Sequence, residues 1–260
     1  MRLCGIAALA LLAVLVTVAV AAAADPGLEI MQKQRELQRV RDEEETQTLK
    51  LINKAGAVKE RKLVRWVLRG AGDLEKILVR FTAPRDVENT GLLVWEAKDG
   101  NDDQWLYLPA LKKPKRIAAS GKKNRFMGTD FSFEDLQPEA LALHTYTLAG
   151  SETVDGQECF VVEAVPTGRR AADSGYGKRR LWIRKDNYAT VKREYYDKQG
   201  VLEKVESLRK LTSVKGTVWR PGEIEMQDVR NGTRTVLVIE GRTIDRGLKE
   251  DFFTEAELTR

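Results

Sequence analysis

Apolar and polar positions alternate along most of the chain beyond residue 46, and residues 64–68 and 77–81 show this most clearly. A period of two indicates strands with one covered face. Turn dipeptides separate the alternating stretches: Asp99-Gly100, Asp155-Gly156, Gln199-Gly200, Lys215-Gly216 and Asn231-Gly232. Such dipeptides are typical of antiparallel hairpins. The pattern contains no second helical stretch long enough to connect parallel strands, so we expect one continuous antiparallel sheet.

An N-terminal helix is predicted for residues 28–45, which are rich in strong helix formers and carry an imperfect apolar stripe. Asp25 and Pro26 precede it as a helix cap and a first helical residue. A sheet of about ten or more strands curls, so its concave side needs a cover. Three segments are available: the N-terminal helix, residues 126–136 with a short helix from Ser132, and residues 248–258. So few helices leave space inside the curve, and we expect a cavity there.

The first 24 residues have the order of a secretory signal peptide. Arg2 supplies the positive charge, residues 3–24 carry none, and three alanines before Asp25 suit cleavage. Removing 24 of the 260 residues leaves 236, and the net charge falls from +5 to +4 because Arg2 is the only charge lost. We therefore expect one exported domain over residues 25–260. An uncleaved membrane anchor is the alternative, because residues 3–24 are also long enough to span a bilayer.

The composition is basic, with an isoelectric point near 9.1 and 32% charged residues. This charge suits anionic lipid, nucleic acid or an acidic protein, and export excludes nucleic acid. Cys4 lies before the apolar run, so it is not the lipidated cysteine of a mature lipoprotein. Cys159 is then the only thiol of the mature chain and forms no internal disulfide, so we interpret it as a small buried hydrophobe.

The most specific pattern lies in residues 105–136, and it combines three features. A strand carries Trp105, Tyr107 and Pro109, a basic stretch follows, and then comes the block Phe126-Met127-Gly128-Thr129-Asp130-Phe131. This order resembles the LolA-like outer-membrane lipoprotein-sorting protein family. The resemblance implies a mainly β fold in which a curved antiparallel sheet forms an open half-barrel covered by a few helices. It also implies a soluble periplasmic carrier that shields acyl chains of a lipoprotein or lipid.

The resemblance further implies partners in the cell envelope. These are an inner-membrane transporter of the resistance-nodulation-division type and an outer-membrane acceptor. We expect a monomer without a metal or other cofactor. Alternation assigns these residues to the cavity wall: Val64, Trp66, Leu68, Ile77, Val79, Phe81, Trp95, Trp105 and Tyr107. A period of two does not say which face of a strand points inward, so this assignment is open to inversion.

A lid over the cavity is predicted from the aromatic block, and its residues are Phe126, Met127, Gly128, Asp130, Phe131 and Phe133. The aromatic side chains fit either an apolar door or an ordinary core. Gly128 permits a turn that other residues disfavour. Asp130 lies among apolar groups and needs a backbone amide or a cation, or it caps the short helix near Ser132. Both roles of Asp130 stay open.

A basic group surrounds this block: Lys112, Lys113, Lys115, Arg116, Lys122, Lys123 and Arg125. It suits lipid phosphates or an acidic face of a transporter. The alternative is a solvated strand edge, where lysines prevent aggregation.

Catalytic motifs are missing from the sequence, and His144 is the only histidine. We interpret Glu134, Asp135 and Glu139 as charges at the start of an exposed short helix rather than as paired carboxylates. The leading hypothesis is the lipid carrier. One rival is a non-catalytic adaptor of an exporter whose domain is filled by its own side chains. A second rival is an exported esterase that depends on His144.

Overall fold

The computed structural model describes residues 25–98 and 102–260. The predicted signal peptide and the Asp99-Gly100 turn lie outside these residues. The helices are α1 (Pro26–Leu37), α2 (Gly168–Asp173) and α3 (Glu255–Leu258). The strands are β1 (Asp42–Ile52), β2 (Val58–Arg69), β3 (Glu75–Ala83), β4 (Gly91–Trp95), β5 (Asp103–Tyr107), β6 (Pro114–Arg116), β7 (His144–Val154), β8 (Gln157–Pro166), β9 (Lys178–Arg184), β10 (Thr190–Tyr196), β11 (Leu202–Arg209), β12 (Thr212–Lys215), β13 (Val218–Arg220), β14 (Glu223–Asp228) and β15 (Thr233–Ile244).

Thirteen of these strands form one sheet in the order β6-β5-β4-β3-β2-β1-β15-β14-β11-β10-β9-β8-β7, and β12 and β13 form a separate ribbon. Neighbouring strands pair antiparallel throughout. The hairpin between β7 and β8 turns at Asp155 and Gly156, whose φ angles are 47° and 76°. Positive φ at both positions is the geometry of a type I′ turn. The predicted fold, a mainly β open antiparallel sheet with few helices, is confirmed.

Helix α1 is shorter than the sequence predicts. The Asp25 side chain accepts a hydrogen bond from the Gly27 amide at 2.8 Å, as expected for a cap, but the helix ends at Leu37. The acidic run from Asp42 belongs to β1, which pairs with both β2 and β15. Backbone hydrogen bonds to both neighbouring strands, and ion pairs with arginines that are far away in the sequence, outweigh the helix propensity of this run. The prediction of helix up to residue 45 is therefore wrong.

Helix α1 covers the end of the concave face that strands β7 to β9 form. Ile30 and Met31 are buried against Tyr146, Val162 and Leu181. The helix comes so close to β7 that a Cβ atom at Gly27 would lie 2.7 Å from the Tyr146 carbonyl carbon. Only glycine fits this contact, since real Cβ atoms do not approach backbone so closely.

The segment of residues 117–143, here called the strap, connects β6 at one edge of the sheet to β7 at the other. Its aromatic residues contact side chains of the concave face, so the strap crosses that face. The short helix predicted from Ser132 is wrong. Ser132 and Asp135 exchange hydrogen bonds of 2.7 and 3.2 Å as in a capping box, but turns follow instead of a helix.

The C-terminal residues 248–258 cover the convex face, not the concave face as expected. Phe253 and Leu258 are completely buried there and pack against Leu68, Leu93 and Trp105. The Trp95 indole donates a hydrogen bond of 2.9 Å to the Phe253 carbonyl. The concave cover therefore consists of α1 and the strap.

Candidate functional site

A cavity of about 360 Å³ lies between the concave face and the strap. This volume falls in the range of ligand sites, about 300–1,000 Å³. Its apolar lining includes Leu49, Leu63, Val67, Ile77, Val79, Leu92, Phe126, Phe131, Leu136, Leu208, Ile224 and Leu237. A second space of about 280 Å³ under α1 shares Arg69, Arg193 and Leu208 with the first, so the two adjoin.

The structure places three of the predicted wall residues on the concave side. Ile77 and Val79 line the cavity. Phe81 is completely buried behind it, and its ring lies 5.7 Å from the Phe126 ring of the strap in a stacked arrangement. All three belong to one apolar cluster with Leu63.

The other six predicted wall residues face the convex side: Val64, Trp66, Leu68, Trp95, Trp105 and Tyr107. Their assignment to the cavity wall is corrected here. On β2 the cavity is lined by Leu63, Arg65 and Val67, which lie one position out of step with the predicted set. Because side chains alternate, a shift by one residue moves the whole set to the opposite face.

Charged side chains line the rest of the cavity, which sequence reasoning missed. Glu43 and Glu45 of β1 face Arg242 of β15, whose Nε lies 2.8 Å from Oε1 of each carboxylate. Arg220 of β13 adds a contact of 3.1 Å to Glu43, and Arg65 of β2 lies 3.6 Å from Glu45. Burial opposes ionisation of Glu45, but Arg65 and Arg242 together hold its pKa below the ordinary value. The Glu45 carboxylate is therefore ionised at neutral pH.

A second charged group lines the cavity farther along the sheet. The Arg193 guanidinium contacts Glu206 at 2.6 Å, and the Tyr195 hydroxyl donates to the same carboxylate at 2.8 Å. Burial opposes the charge of Arg193, but Glu206 raises the pKa of Arg193 above its ordinary value. The cavity thus has an apolar part beneath the strap and a charged part toward β1, β11 and β13.

The aromatic residues of the predicted lid are buried in the contact between strap and sheet. Phe126 and Phe133 meet edge to face, with ring centres 5.5 Å apart. Phe131 packs against Tyr195 and Met226 of the opposite half of the sheet. Phe126 and Phe131 also line the cavity. These rings therefore act as core and as cavity roof together.

Asp130 is fixed by hydroxyl groups and a cation rather than by a helix. It accepts hydrogen bonds from Thr233 Oγ1 at 2.5 Å and Thr235 Oγ1 at 2.7 Å, and Arg125 Nη1 lies 3.1 Å away. Met127 and Gly128 make the preceding turn with φ angles of 48° and 75°. The strap is thereby attached to β15 at the middle of the sheet.

The carboxylates predicted to be exposed on a helix are tied into the protein interior. Asp135 forms a buried ion pair with Lys204 at 3.0 Å and accepts a hydrogen bond of 2.8 Å from the Tyr176 hydroxyl. Glu134 accepts hydrogen bonds from the Ser174 hydroxyl at 2.5 Å and from a backbone amide at 2.8 Å. The helix-start interpretation is wrong, and these groups hold the strap onto β11 and the segment after α2.

The structure divides the predicted basic group. Arg116 pairs with Asp103, and Arg125 pairs with Asp130 and Asp228. Lys122 is buried, donates to the Asp102 carbonyl at 2.6 Å, and has its pKa lowered by burial. The members that are exposed, and that form no ion pair within the described part of the chain, are Lys112, Lys113, Lys115 and Lys123. Lys112, Lys113 and Lys115 remain as a surface group on and before the edge strand β6, whereas Lys123 lies in the strap near Gly175.

His144 is a partner in a side-chain cluster at the end of the strap. Arg179 Nη2 lies 2.9 Å from His144 Nε2, and the ring Nδ1 lies 3.1 Å from the Ala140 carbonyl. Arg179 also makes two 2.8 Å hydrogen bonds to Glu139, and burial lowers the pKa of His144. The arginine, a donor only, occupies Nε2, so the neutral ring places its proton on Nδ1. The Nε2 lone pair, which a general base would need, therefore already accepts from Arg179, and this does not favour the esterase hypothesis.

Known proteins place the chain in a family. A domain from Vibrio parahaemolyticus assigned as an outer membrane lipoprotein-sorting protein is 33% identical, covering 90% of this chain and 99% of that chain with a TM-score of 0.86. The chain belongs to this outer-membrane lipoprotein-sorting protein family. A family model described as an uncharacterized protein matches residues 73–260.

Two further structures share the fold. A DUF1329 family protein from Desulfovibrio piger is 28% identical, covering 90% of this chain and 100% of that chain, with a TM-score of 0.84. A LolA superfamily protein from Nitrosomonas europaea is 20% identical, covering 89% and 98%, with a TM-score of 0.69. A search of curated proteins gave no significant match. None of the helices in residues 25–98 and 102–260 combines the length and apolar character of a membrane-spanning segment.

Proposed function

We propose that this family member is an exported periplasmic carrier. It takes an acyl chain of a lipid or lipoprotein into the apolar part of the cavity and shields it from water on the way to the outer membrane. The supporting observation is the cavity of about 360 Å³, walled by aliphatic side chains of β1 to β4 and β15 and roofed by Phe126 and Phe131. Each methylene removed from water stabilises the complex by about 0.8 kcal/mol.

Transfer requires an inner-membrane donor, such as a transporter, and an outer-membrane acceptor. The strap is the element that must move, because it separates the apolar wall from the outside. The exposed lysines on and before β6, Lys112, Lys113 and Lys115, offer a cationic surface to an acidic partner or to lipid phosphates, and Lys123 adds an exposed cation on the strap. The strap begins directly after β6, so binding at this surface acts on the end of the strap.

A matched pair of variants tests the location of the cargo. Leu237 lines the cavity, whereas Val238 points to the opposite face of β15, and both side chains are half-buried. Leu237→Trp fills the cavity and is expected to remove co-purifying lipid in native mass spectrometry and to weaken binding of a fluorescent fatty acid by tenfold or more, an order-of-magnitude expectation. Val238→Trp places the same large side chain outside the cavity and is expected to change binding by less than about twofold.

The same spectra distinguish the carrier from the adaptor hypothesis. Lipid bound to the gently purified protein and lost only in Leu237→Trp supports the carrier. A protein that is empty after gentle purification, and that binds no acyl probe in either variant or the wild type, supports an adaptor that carries no lipid.

A further inference from the structure

The charged part of the cavity contains a cluster in which guanidinium groups outnumber the carboxylates that they contact. Three guanidinium groups, of Arg65, Arg220 and Arg242, contact two carboxylates, of Glu43 and Glu45. The adjoining Asp42 adds a third carboxylate that forms no ion pair with these guanidinium groups among the described residues. Its carboxylate accepts hydrogen bonds from the backbone amides of three residues after β15: Arg246, Gly247 and Leu248.

Arg65 has the fewest polar partners of the three guanidinium groups. Within the described residues its guanidinium makes no hydrogen bond, and its one ion contact is 3.6 Å from Glu45, too long for a hydrogen bond. The side chain is 31% exposed, and this exposure opens into the cavity that it lines. A guanidinium has five donor N–H groups in a planar fork that matches carboxylate and phosphate oxygens. Those donors are available to a ligand.

Glu45 is not free to take these donors, because other groups already bind it. Arg242 donates to its Oε1 atom twice, at 2.8 and 2.6 Å, and Gln47 donates to Oε2 at 2.6 Å. The Glu45 side chain is only 7% exposed. Arg65 therefore lies beside a carboxylate that is held by Arg242 and Gln47.

Arg65 also lies at the border between the charged and apolar parts of the cavity. On the same face of β2 its neighbours are Leu63 and Val67, and Val79 lies opposite on β3. These three side chains are buried members of the apolar cluster beneath the strap. An anionic group bound at Arg65 would hold an attached alkyl chain against this wall.

We propose that the cargo is an amphiphile with an anionic headgroup, and that the headgroup oxygens bind the Arg65 guanidinium while the alkyl chain lies against Leu63 and Val79. This inference rests on the proposed carrier function and adds the chemical class of the cargo. The shared chemistry is that of a phosphate or carboxylate oxyanion. Free inorganic phosphate is the other source of such an anion, so the test includes it separately.

The test compares three probes on the whole protein by isothermal titration calorimetry: dodecyl phosphate, dodecanol and inorganic phosphate. Arg65→Gln removes the charge and keeps a polar side chain of moderate length. We expect it to weaken dodecyl phosphate binding by about tenfold, since hydrogen bonds to charged groups are the strong ones. Dodecanol affinity is expected to change by less than about twofold. Inorganic phosphate alone is expected to bind too weakly to compete.

Two further variants control for folding and for charge alone. Arg65→Lys retains the cation without the fork and is expected to keep part of the preference for dodecyl phosphate. Arg209→Gln removes an arginine that is 45% exposed and pairs with Glu223 and Glu225 on the convex side, and it is expected to affect no probe. Unfolding midpoints for all variants identify any loss of fold.

The outcomes separate this inference from the carrier function. If folded Arg65→Gln loses affinity for dodecyl phosphate and dodecanol equally, or for neither, the anionic-headgroup inference is overturned. The proposed carrier function is unaffected by either result. Inorganic phosphate that binds as tightly as dodecyl phosphate identifies a free-anion site and also overturns it. If neither alkyl probe binds the wild type, the carrier function itself fails.

Discussion

The convex face of strands β2 to β5 is filled by aromatic side chains, whereas the concave face of the same strands borders an open cavity of about 360 Å³. On the convex side the rings of Trp66 and Phe252 meet at 5.3 Å and those of Trp95 and Trp105 at 4.9 Å. The C-terminal segment closes over them with Phe253 completely buried. This face is a conventional packed core.

The concave face combines aliphatic residues with ion-paired ones, and this mixture accounts for the space that it leaves. Charged side chains such as Arg242 and Glu45 need their partners, so they cannot collapse onto the apolar wall as leucines would. The strap is attached through polar contacts at Asp130 and Asp135 as well as by aromatic packing. Abundant tryptophan therefore marks the closed face of this sheet, whereas buried charged residues mark the open one.

The largest difference between the faces is expected from truncating one large side chain on each. Phe253→Ala removes a completely buried ring and should lower the free energy of unfolding by about 3–5 kcal/mol. Leu237→Ala, beside the cavity, should cost no more than about 2 kcal/mol because its side chain already borders empty space. Chemical denaturation measures both. Equal losses would mean that the concave face is packed as tightly as the convex one.

A smaller effect is expected from loosening the strap. Asp130→Asn removes the charge that Arg125 and two threonine hydroxyls stabilise, and it should cost about 1.5–3 kcal/mol of stability. The same change should speed release of a fluorescent fatty acid in stopped-flow measurements. Asp251→Asn, on the exposed part of the C-terminal cover, is the control and should alter neither quantity. Unchanged release from Asp130→Asn would show that this attachment does not hold the cavity closed.

The smallest expected effect concerns acid stability at the end of the strap. Burial opposes ionisation of Glu139, but Arg179 and His144 lower its pKa from 4.5 to about 2. A depressed folded pKa contributes stability above pH 4.5 that is lost as the pH falls toward 2. The Glu139 side chain is 27% exposed, so we expect a slope of at most about 1 kcal/mol per pH unit. Glu139→Gln should remove this slope, and exposed Glu158→Gln should leave it.

The sequence predicts where the strands lie better than it predicts which face of each strand points into the cavity. The alternation of residues 64–68 correctly indicates strand β2, but that strand is apolar on both faces, with Leu63 and Val67 on one and Trp66 and Leu68 on the other. Which set faces the cavity depends on where the C-terminal segment packs, and local pattern carries no information on that. The predicted cavity-facing side is therefore wrong for β2, β4 and β5.

The charged part of the cavity could not be predicted from the local sequence pattern either. Glu45 belongs to an acidic run with high helix propensity, and its partner Arg242 is 197 positions away along the chain. Only the antiparallel pairing of β1 with β15 brings them together. The order of aromatic, glycine and acidic residues makes the block around Asp130 recognisable in the sequence, whereas the contacts of Asp130 with Thr233 and Thr235 depend on the fold.

The most direct measurement of the central claim is methyl NMR of leucine-labelled protein with a spin-labelled fatty acid, because the label broadens only nearby signals. Leu49, Leu63 and Leu237 report on the cavity, and Leu68, Leu78 and Leu93 report on the convex face of neighbouring strands. We expect the label to broaden the first three signals and to spare the second three. Broadening of the convex set, or of neither set at saturating fatty acid, would contradict a concave site for the acyl chain.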